Sequence, residues 1–324
     1  MVPSLCGSVR ILVLYTLMKS LLLIDGNGLV HRAYHALPEF TSRSGQPTGA
    51  VYGFISTLNK VISDYRPTHV ITCFDTPAPT FRDSLFINYR TQRPEADKEL
   101  KDQFPLVKEF LDAAGVAHVE KEGLEADDLI GVLATQAHKR GFVVNILTGD
   151  KDIFQLVNNN IFVITPQIGY GHEKKYDRRA VIEKFGIPPE RVADLKALAG
   201  DPSDNYKGIV GIGPKTASQL INKFGPIENI YENIDQVENP ILRQKLINGK
   251  GDAELSKKLA QLVIEADIPV KVDDGEFIHY NESLKYFFNK YNFRSLYNRI
   301  FGTSTKPEKI EKPKKKENQL DLFN

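Results

Sequence analysis

LLLID, residues 21–25, is four apolar side chains closed by an aspartate, and its reading decides the fold. HVITCFD at 69–75 and VVNILTGD at 143–150 have the same form. We read Leu21–Ile24, His69–Phe74, Val143–Leu147 and Ile161–Ile164 as strands. Thr48–Tyr65 and Ala126–Arg140 read as helices between them. This alternation, running from Leu21 to about Leu195, predicts an α/β domain with a largely parallel sheet. In open sheets of that kind ligands bind beyond the carboxyl ends of the strands. Parallel neighbours would therefore bring Asp25, Asp75 and Asp150 to one crevice. A single aspartate in such a place is commonly a turn former or a helix cap. Three together weaken that explanation.

Six further acids join them. Glu125, Asp127 and Asp128 stand in GLEADDLIGVL at a helix start, where acids also suit the helix dipole. Asp152 follows in TGDKD, and Asp201 and Asp204 stand in AGDPSDN. So many like charges share a pocket only if some are protonated or cations neutralise them. Oxygen ligands with no His or Cys beside them favour Mg²⁺ or Mn²⁺, two or more ions, over zinc. Such a site suits phosphoryl chemistry: one ion activates a water, and a second stabilises the leaving oxygen.

GIVGIGPKTASQLINKF, residues 208–224, is the second distinctive run. Gly208, Gly211 and Gly213 precede a helix that begins near Lys215. Glycines let a backbone approach a phosphate, and a helix start offers free N–H groups. Lys215 and Thr216 add side-chain donors. The run reads as a duplex-backbone anchor, or as an ordinary interhelical turn.

The 324 residues leave room for two domains, and a formal net charge of +1 announces no polyanion partner by itself. Cys6 and Cys73 are isolated, so they make no metal motif and no disulfide framework. Reduced thiols and a cytoplasmic location are the expectation. VRILVLYTLM, residues 9–18, loosely suggests a signal peptide, but no cleavage site follows and it is too short to span a bilayer. Residues 1–17 read as an extension outside the fold, with no membrane role. Thr80 to Lys108 is densely charged, carries Phe81, Phe86, Tyr89 and Phe104, and is too long for a plain connection. Pro188 to about Phe301 reads as a helical second domain. Residues 302–324 read as a disordered, lysine-rich tail.

Taken in order, LLLIDGNGLVHRAYHAL, PTHVITCFD, TFRDSLFINYRTQRP, GLEADDLIGVLA, LTGDKDIFQLV and GDPSDNYKGIVGIGPKTA resemble successive motifs of the 5′→3′ exonuclease domain of bacterial DNA polymerase I. That domain is part of the flap endonuclease superfamily. The resemblance covers Lys19 to Phe301. The chain is too short for the polymerase and proofreading domains, so it is similar to the stand-alone nuclease. The resemblance implies a PIN-like catalytic domain over 18–187 with a helical arch at about 80–108. It also implies a helix-three-turn-helix (H3TH) domain over 188–301. All nine acids named above match the family's metal positions. Arg90, Arg93 and Arg32 match basic positions near the cleaved phosphate. Tyr89 and Arg82 fall among the expected DNA contacts, although Arg32 and Arg82 also read as plain surface charges. Gly208–Thr216 matches the duplex-binding hairpin, where loop carbonyls can hold K⁺. Arg90 departs from the family's usual lysine, keeping the charge but replacing a point charge with a planar fork.

The implied activity is structure-selective 5′→3′ exonuclease and flap endonuclease action by two metal ions. Its substrates would be DNA flaps, nicks and 5′ ends, RNA primers included, in primer removal and repair by a monomer. Gln319, Leu320, Asp321, Leu322 and Phe323, QLDLF, resemble the peptide by which bacterial replication proteins dock on the sliding clamp. Two other readings stand beside this one. A PIN-type endoribonuclease would lack the hairpin and the arch, and a non-catalytic DNA-binding protein would lack some of the acids.

Overall fold

The computed structural model describes residues 19–38, 40–42, 45–166 and 173–302. Residues 1–17 and the QLDLF peptide therefore lie outside the described residues. One six-stranded sheet runs in the order β3-β2-β1-β4-β5-β6. Its strands are β1 (Ser20–Asp25), β2 (His69–Phe74), β3 (Ala117–Glu120), β4 (Val143–Leu147), β5 (Ile161–Thr165) and β6 (Lys174–Tyr176). All neighbours pair parallel except β5 with β6. The strand expectations hold. β3 and β6 were not anticipated, being only four and three residues long and carrying charges. Lysines on the antiparallel edge strand β6 suit a strand that must not pair further.

Alternation along β1 sets the layers, because successive side chains leave opposite faces. Leu22 and Ile24 enter one core with Phe54, Phe74 and Phe110. Leu21 and Leu23 enter the other with Leu129, Ile130 and Leu133. The first face is covered by α1 (Gly26–Ala36), α2 (Gly49–Tyr65) and α5 (Phe104–Ala114). The second is covered by α6 (Ala126–Lys139). Between β2 and α5, the charged segment contains two short helices, α3 (Phe81–Leu85) and α4 (Lys98–Lys101).

A helical unit follows α7 (Arg178–Phe185). It comprises α8 (Val192–Ala199), α9 (Pro214–Phe224), α10 (Ile227–Glu232), α11 (Pro240–Asn248) and α12 (Lys250–Ala260) around its own core of Leu198, Ile209, Leu220, Ile230 and Leu246. The chain then returns. Leu284, Phe287 and Phe288 of α13 (Ser283–Lys290) and Leu296 of α14 (Arg294–Phe301) pack into the first-face core beside Phe110. The expected helical domain was drawn continuously to Phe301, but these two helices close the α/β unit. Their apolar residues complete a sheet-face core, which no helical periodicity discloses.

Candidate active site

Register places three acids side by side. Asp25 pairs with Cys73 across β1 and β2, and Ile24 pairs with Leu147 across β1 and β4. The strand ends at Asp25, Asp75 and Asp150 therefore share one edge. Asp25 N-caps α1 by accepting from the Gly28 N–H at 2.8 Å, and the Thr148 hydroxyl donates to its other oxygen at 2.8 Å. Gly28 has to be glycine, since a Cβ there would lie 2.2 Å from Asp25 Oδ2. Asp75 accepts from the Ala126 N–H at 2.7 Å, which docks the start of α6 against the end of β2. Asp127 follows on α6. Asp25, Asp75, Asp127 and Asp150 line one cavity of 350 Å³ with Arg90, Arg93 and His31.

Crowding shows in the protonation of these groups. Burial, reinforced by Asp75 and Asp150, pushes the Asp25 carboxyl up to about 6. Burial raises Asp127 well above the usual range, with Asp150, Asp25 and Asp75 adding to it. Burial also raises Asp150 and Glu125, despite cations nearby. A pocket that holds carboxylates against their own repulsion is fitted to receive cations.

A second acid group forms where the helical unit meets the sheet edge. Carboxylate oxygens of Asp152, Asp201 and Asp204 lie within 4.8 Å of one another. Among the described residues no other group of acids or histidines converges so closely. Lys196 of α8 forms ion pairs with both Asp152 and Asp201. Burial alone would raise Asp201, but Lys196 and the Ser203 donors hold it below the usual carboxylate range. The loop carrying Asp201 and Asp204 is closed by the Asp201 N–H donating to the Tyr206 carbonyl at 2.8 Å and by Tyr206 N–H donating back at 3.2 Å. Backbone packs on backbone at its neck. A Cβ on Gly200 would lie 2.3 Å from the Lys207 carbonyl oxygen, and one on Gly208 2.3 Å from the Gly200 nitrogen.

Arginines of the charged segment reach into these acids. Arg90 pairs with Glu125 at 3.1 Å and with Asp204 at 3.2 Å, and Arg93 pairs with Asp204 at 2.5 Å. Arg90 sits at φ +54°, a left-handed backbone that directs the chain back over Asp204. Arg32 lines an adjoining cavity with Asp25, Thr148 and Asp150.

The expected single cleft of nine acids is thus divided, and three residues need correction: Arg82 and Tyr89 as DNA contacts, and Asp128 as a metal ligand. Arg82 was expected to contact DNA, yet it is 1% exposed. It grips Asp128, 0% exposed, through two bonds of 2.7 and 2.9 Å, and donates to the carbonyls of Leu259 and Gln261. Asp128 also accepts from the Val263 N–H, so its oxygens are committed inside the protein. The pair ties α3, α6 and the end of α12 together. Tyr89, another expected DNA contact, is buried with Ala193, Tyr206 and Leu259.

The hairpin also divides. Gly208 is buried and its conformational freedom serves the loop neck, whereas Gly211 and Gly213 are exposed. Lys215 is exposed at the start of α9 with no ion pair among the described residues, and Thr216 is half-buried beside it. Sequence reasoning missed Lys196 and His31. Lys196 gave no signal, because Asp201 lies beyond the end of α8 and only the returning loop brings it to the lysine. His31 qualifies the expectation of a site without histidine, and burial lowers its pKa.

Known proteins bear on this arrangement. The family model described as "5'-3' exonuclease, N-terminal resolvase-like domain" matches residues 20–186, and "5'-3' exonuclease, C-terminal SAM fold" matches 187–283. A 5'-3' exonuclease of Aquifex aeolicus is 40% identical over 79% of this chain and 86% of its own length. DNA polymerase I of Bacillus subtilis is 39% identical over 90% of this chain. The chain spans about a third of that relative's length (33%). Among solved structures, T5 5'-exonuclease with bound divalent zinc has a TM-score of 0.62 at 24% identity, covering 76% of this chain and 90% of its own. The catalytic core of Rad2 with a DNA substrate has a TM-score of 0.55 at 20% identity, covering 90% of each chain. The two structural likenesses show the fold, and the sequence matches decide the rest: this chain belongs to the 5′-3′ exonuclease family.

Proposed function

We propose that this chain is a structure-selective 5′→3′ exonuclease and flap endonuclease that hydrolyses DNA phosphodiester bonds with Mg²⁺, Mn²⁺ substituting. The observation that carries the reading is the pocket at the sheet edge where Asp25, Asp75, Asp127 and Asp150 converge, its acids pushed up by burial and mutual repulsion. Ions held there would supply an activated water and neutralise charge on the leaving oxygen. Asp25, Asp75, Asp127 and Asp150 are one set of candidate ligands, and Asp152, Asp201 and Asp204 are another. Glu125 orients Arg90 beside them, and Asp128 acts indirectly through Arg82. Arg90 and Arg93 take the phosphate at the cut, and Arg32 takes its neighbour. Residues 18–187 serve as the catalytic unit, braced by α13 and α14, and the helices from α8 to α12 serve as the duplex-holding unit.

Gly213, Lys215 and Thr216 face the duplex, and the hairpin carbonyls are where K⁺ would sit. The protein acts as a monomer in the cytoplasm on flaps, nicks and primer ends. No helix among the described residues is long and apolar enough to cross a membrane. Gln319–Phe323 dock on the sliding clamp, and removal of residues 318–324 should abolish capture by that clamp. The central test is cleavage of end-labelled flap, nicked and single-stranded DNA with and without Mg²⁺. Wild type should cut flap and nicked DNA only with the metal. Asp150→Ala should bind flap DNA and leave it whole. Full activity in that variant overturns the assignment, and preferential cutting of RNA would favour a ribonuclease instead.

A further inference from the structure

Gln155 follows Asp152 in a short 3-10 helix, Asp152–Leu156, and its side-chain amide crosses to the helical unit. The amide nitrogen donates at 3.0 Å to the carbonyl of Ala260, the last residue of α12, and the Leu262 N–H donates to the amide oxygen at 3.1 Å. The same nitrogen donates back to the Asp152 carbonyl at 3.0 Å. A glutamine nitrogen has two protons to give, so both are spent. Asp152 is thereby held at both ends of its own backbone, because its N–H donates to Asp150 Oδ1 at 2.7 Å. Arg82 takes the Leu259 and Gln261 carbonyls and Asp128 takes the Val263 N–H, so side chains of the sheet unit grip each residue from Leu259 to Val263. This strap lies close on α6, where a Cβ on Gly131 would meet the Val263 carbonyl oxygen at 2.6 Å.

The acid group of Asp152, Asp201 and Asp204 spans the same seam, with Asp152 from the sheet unit and the other two from the loop after α8. Lys196 and Gln155 both cross it. Lys196 crosses as a charge, and cations drawn to Asp152 and Asp201 compete with it. Gln155 crosses as a neutral amide bonded to backbone groups, so a change of local charge gives it no reason to let go. We propose that Gln155 is a positioning residue for cleavage. It ties the Asp152 turn to the end of α12 and so keeps Asp152 where it can share a cation with Asp201 and Asp204.

This rests on the nuclease reading above, and the test separates the two. Full-length wild type and Gln155→Met, which keeps an unbranched stem and removes the amide, are titrated calorimetrically with Mn²⁺ in the absence of DNA. Cleavage of flap DNA and melting temperature are read alongside. The variant should lose roughly 10- to 100-fold in Mn²⁺ affinity at one class of site and in kcat, as when a group supporting a metal ligand is removed. Its KM for flap DNA should stay near wild type. Wild-type Mn²⁺ affinity and kcat in Gln155→Met overturn the proposal, and a lowered melting temperature beside them would make Gln155 a packing residue. Should that variant fail to fold, wild type alone decides. The Leu262 amide, bonded to Gln155, should exchange its hydrogen equally slowly in chelator and in Mg²⁺, and faster exchange with Mg²⁺ shows a bridge that opens and overturns the proposal. Wild type that binds no Mn²⁺ and cuts no flap DNA overturns the nuclease reading itself, and the proposal with it.

Discussion

Each acid at the sheet edge is held by a local device that any aspartate could use. Asp25 caps a helix and Asp75 docks one, so sequence alone shows them as turn formers as readily as ligands. Their mutual pressure becomes visible only once the strands are in register. That pressure gives a pH dependence with a definite sign. Carboxyls raised in the folded state bind protons more readily there than in the unfolded chain, so stability falls as pH rises through the window. For Asp25 the window runs from its ordinary 3.8 to about 6. Without metal, the protein should melt higher at pH 5.5 than at pH 7.5, and excess Mg²⁺ should remove that difference. A melting temperature flat in pH in chelator would contradict this account. Arg82 belongs to the same scale. Its charge was legible in the sequence, but its direction was not, because burial of an arginine depends on a distant carboxylate. Arg82→Met leaves Asp128 buried without its partner, which should cost about 3–5 kcal/mol by chemical denaturation. A variant of normal stability with weakened DNA binding would return Arg82 to the surface.

The charged segment between β2 and α5 was legible as a functional element from its length and composition. Its inner contacts were not, because Tyr89 gives no hint that it will pack against Tyr206 rather than face DNA. Its arginines serve as counter-ions for Glu125 and Asp204. Cations entering the acid groups would compete for those carboxylates and free the guanidinium groups for phosphate. Amide hydrogen exchange over residues 88–93 should therefore quicken when Mg²⁺ is added, and unchanged protection would show that the arginines are held by packing. Arg90→Ala should lower kcat on flap DNA by roughly 10²-fold, since it removes charge aimed at the reacting phosphate. Duplex affinity should change far less. The reverse pattern, weaker binding at normal kcat, would make Arg90 an anchor only.

Over the whole molecule, parallel sheet and helical unit were legible because three strands share one form and glycines punctuate the helices. The return of the chain was not. Phe287, Phe288 and Leu296 look like the core of any helix pair, yet they seal the sheet face beside Phe110. A chain ending at residue 282 keeps nearly all of the family-matched span, but should lose well over 5 kcal/mol, given about 1.5–3 kcal/mol for each large apolar side chain buried. Cooperative unfolding of that truncated chain near the wild-type temperature would show that the two helices are dispensable. The pairing of Lys196 with both Asp152 and Asp201 has a further consequence. One acid belongs to the sheet unit, while the lysine and the other acid belong to the helical unit. Recombination between this gene and a distant relative at the natural seam near residue 187 would divide that trio between two parents. A lysine replaced by another residue on one side would then leave Asp152 facing Asp201 with nothing between them, so the halves are heritable as modules only when this triad travels intact.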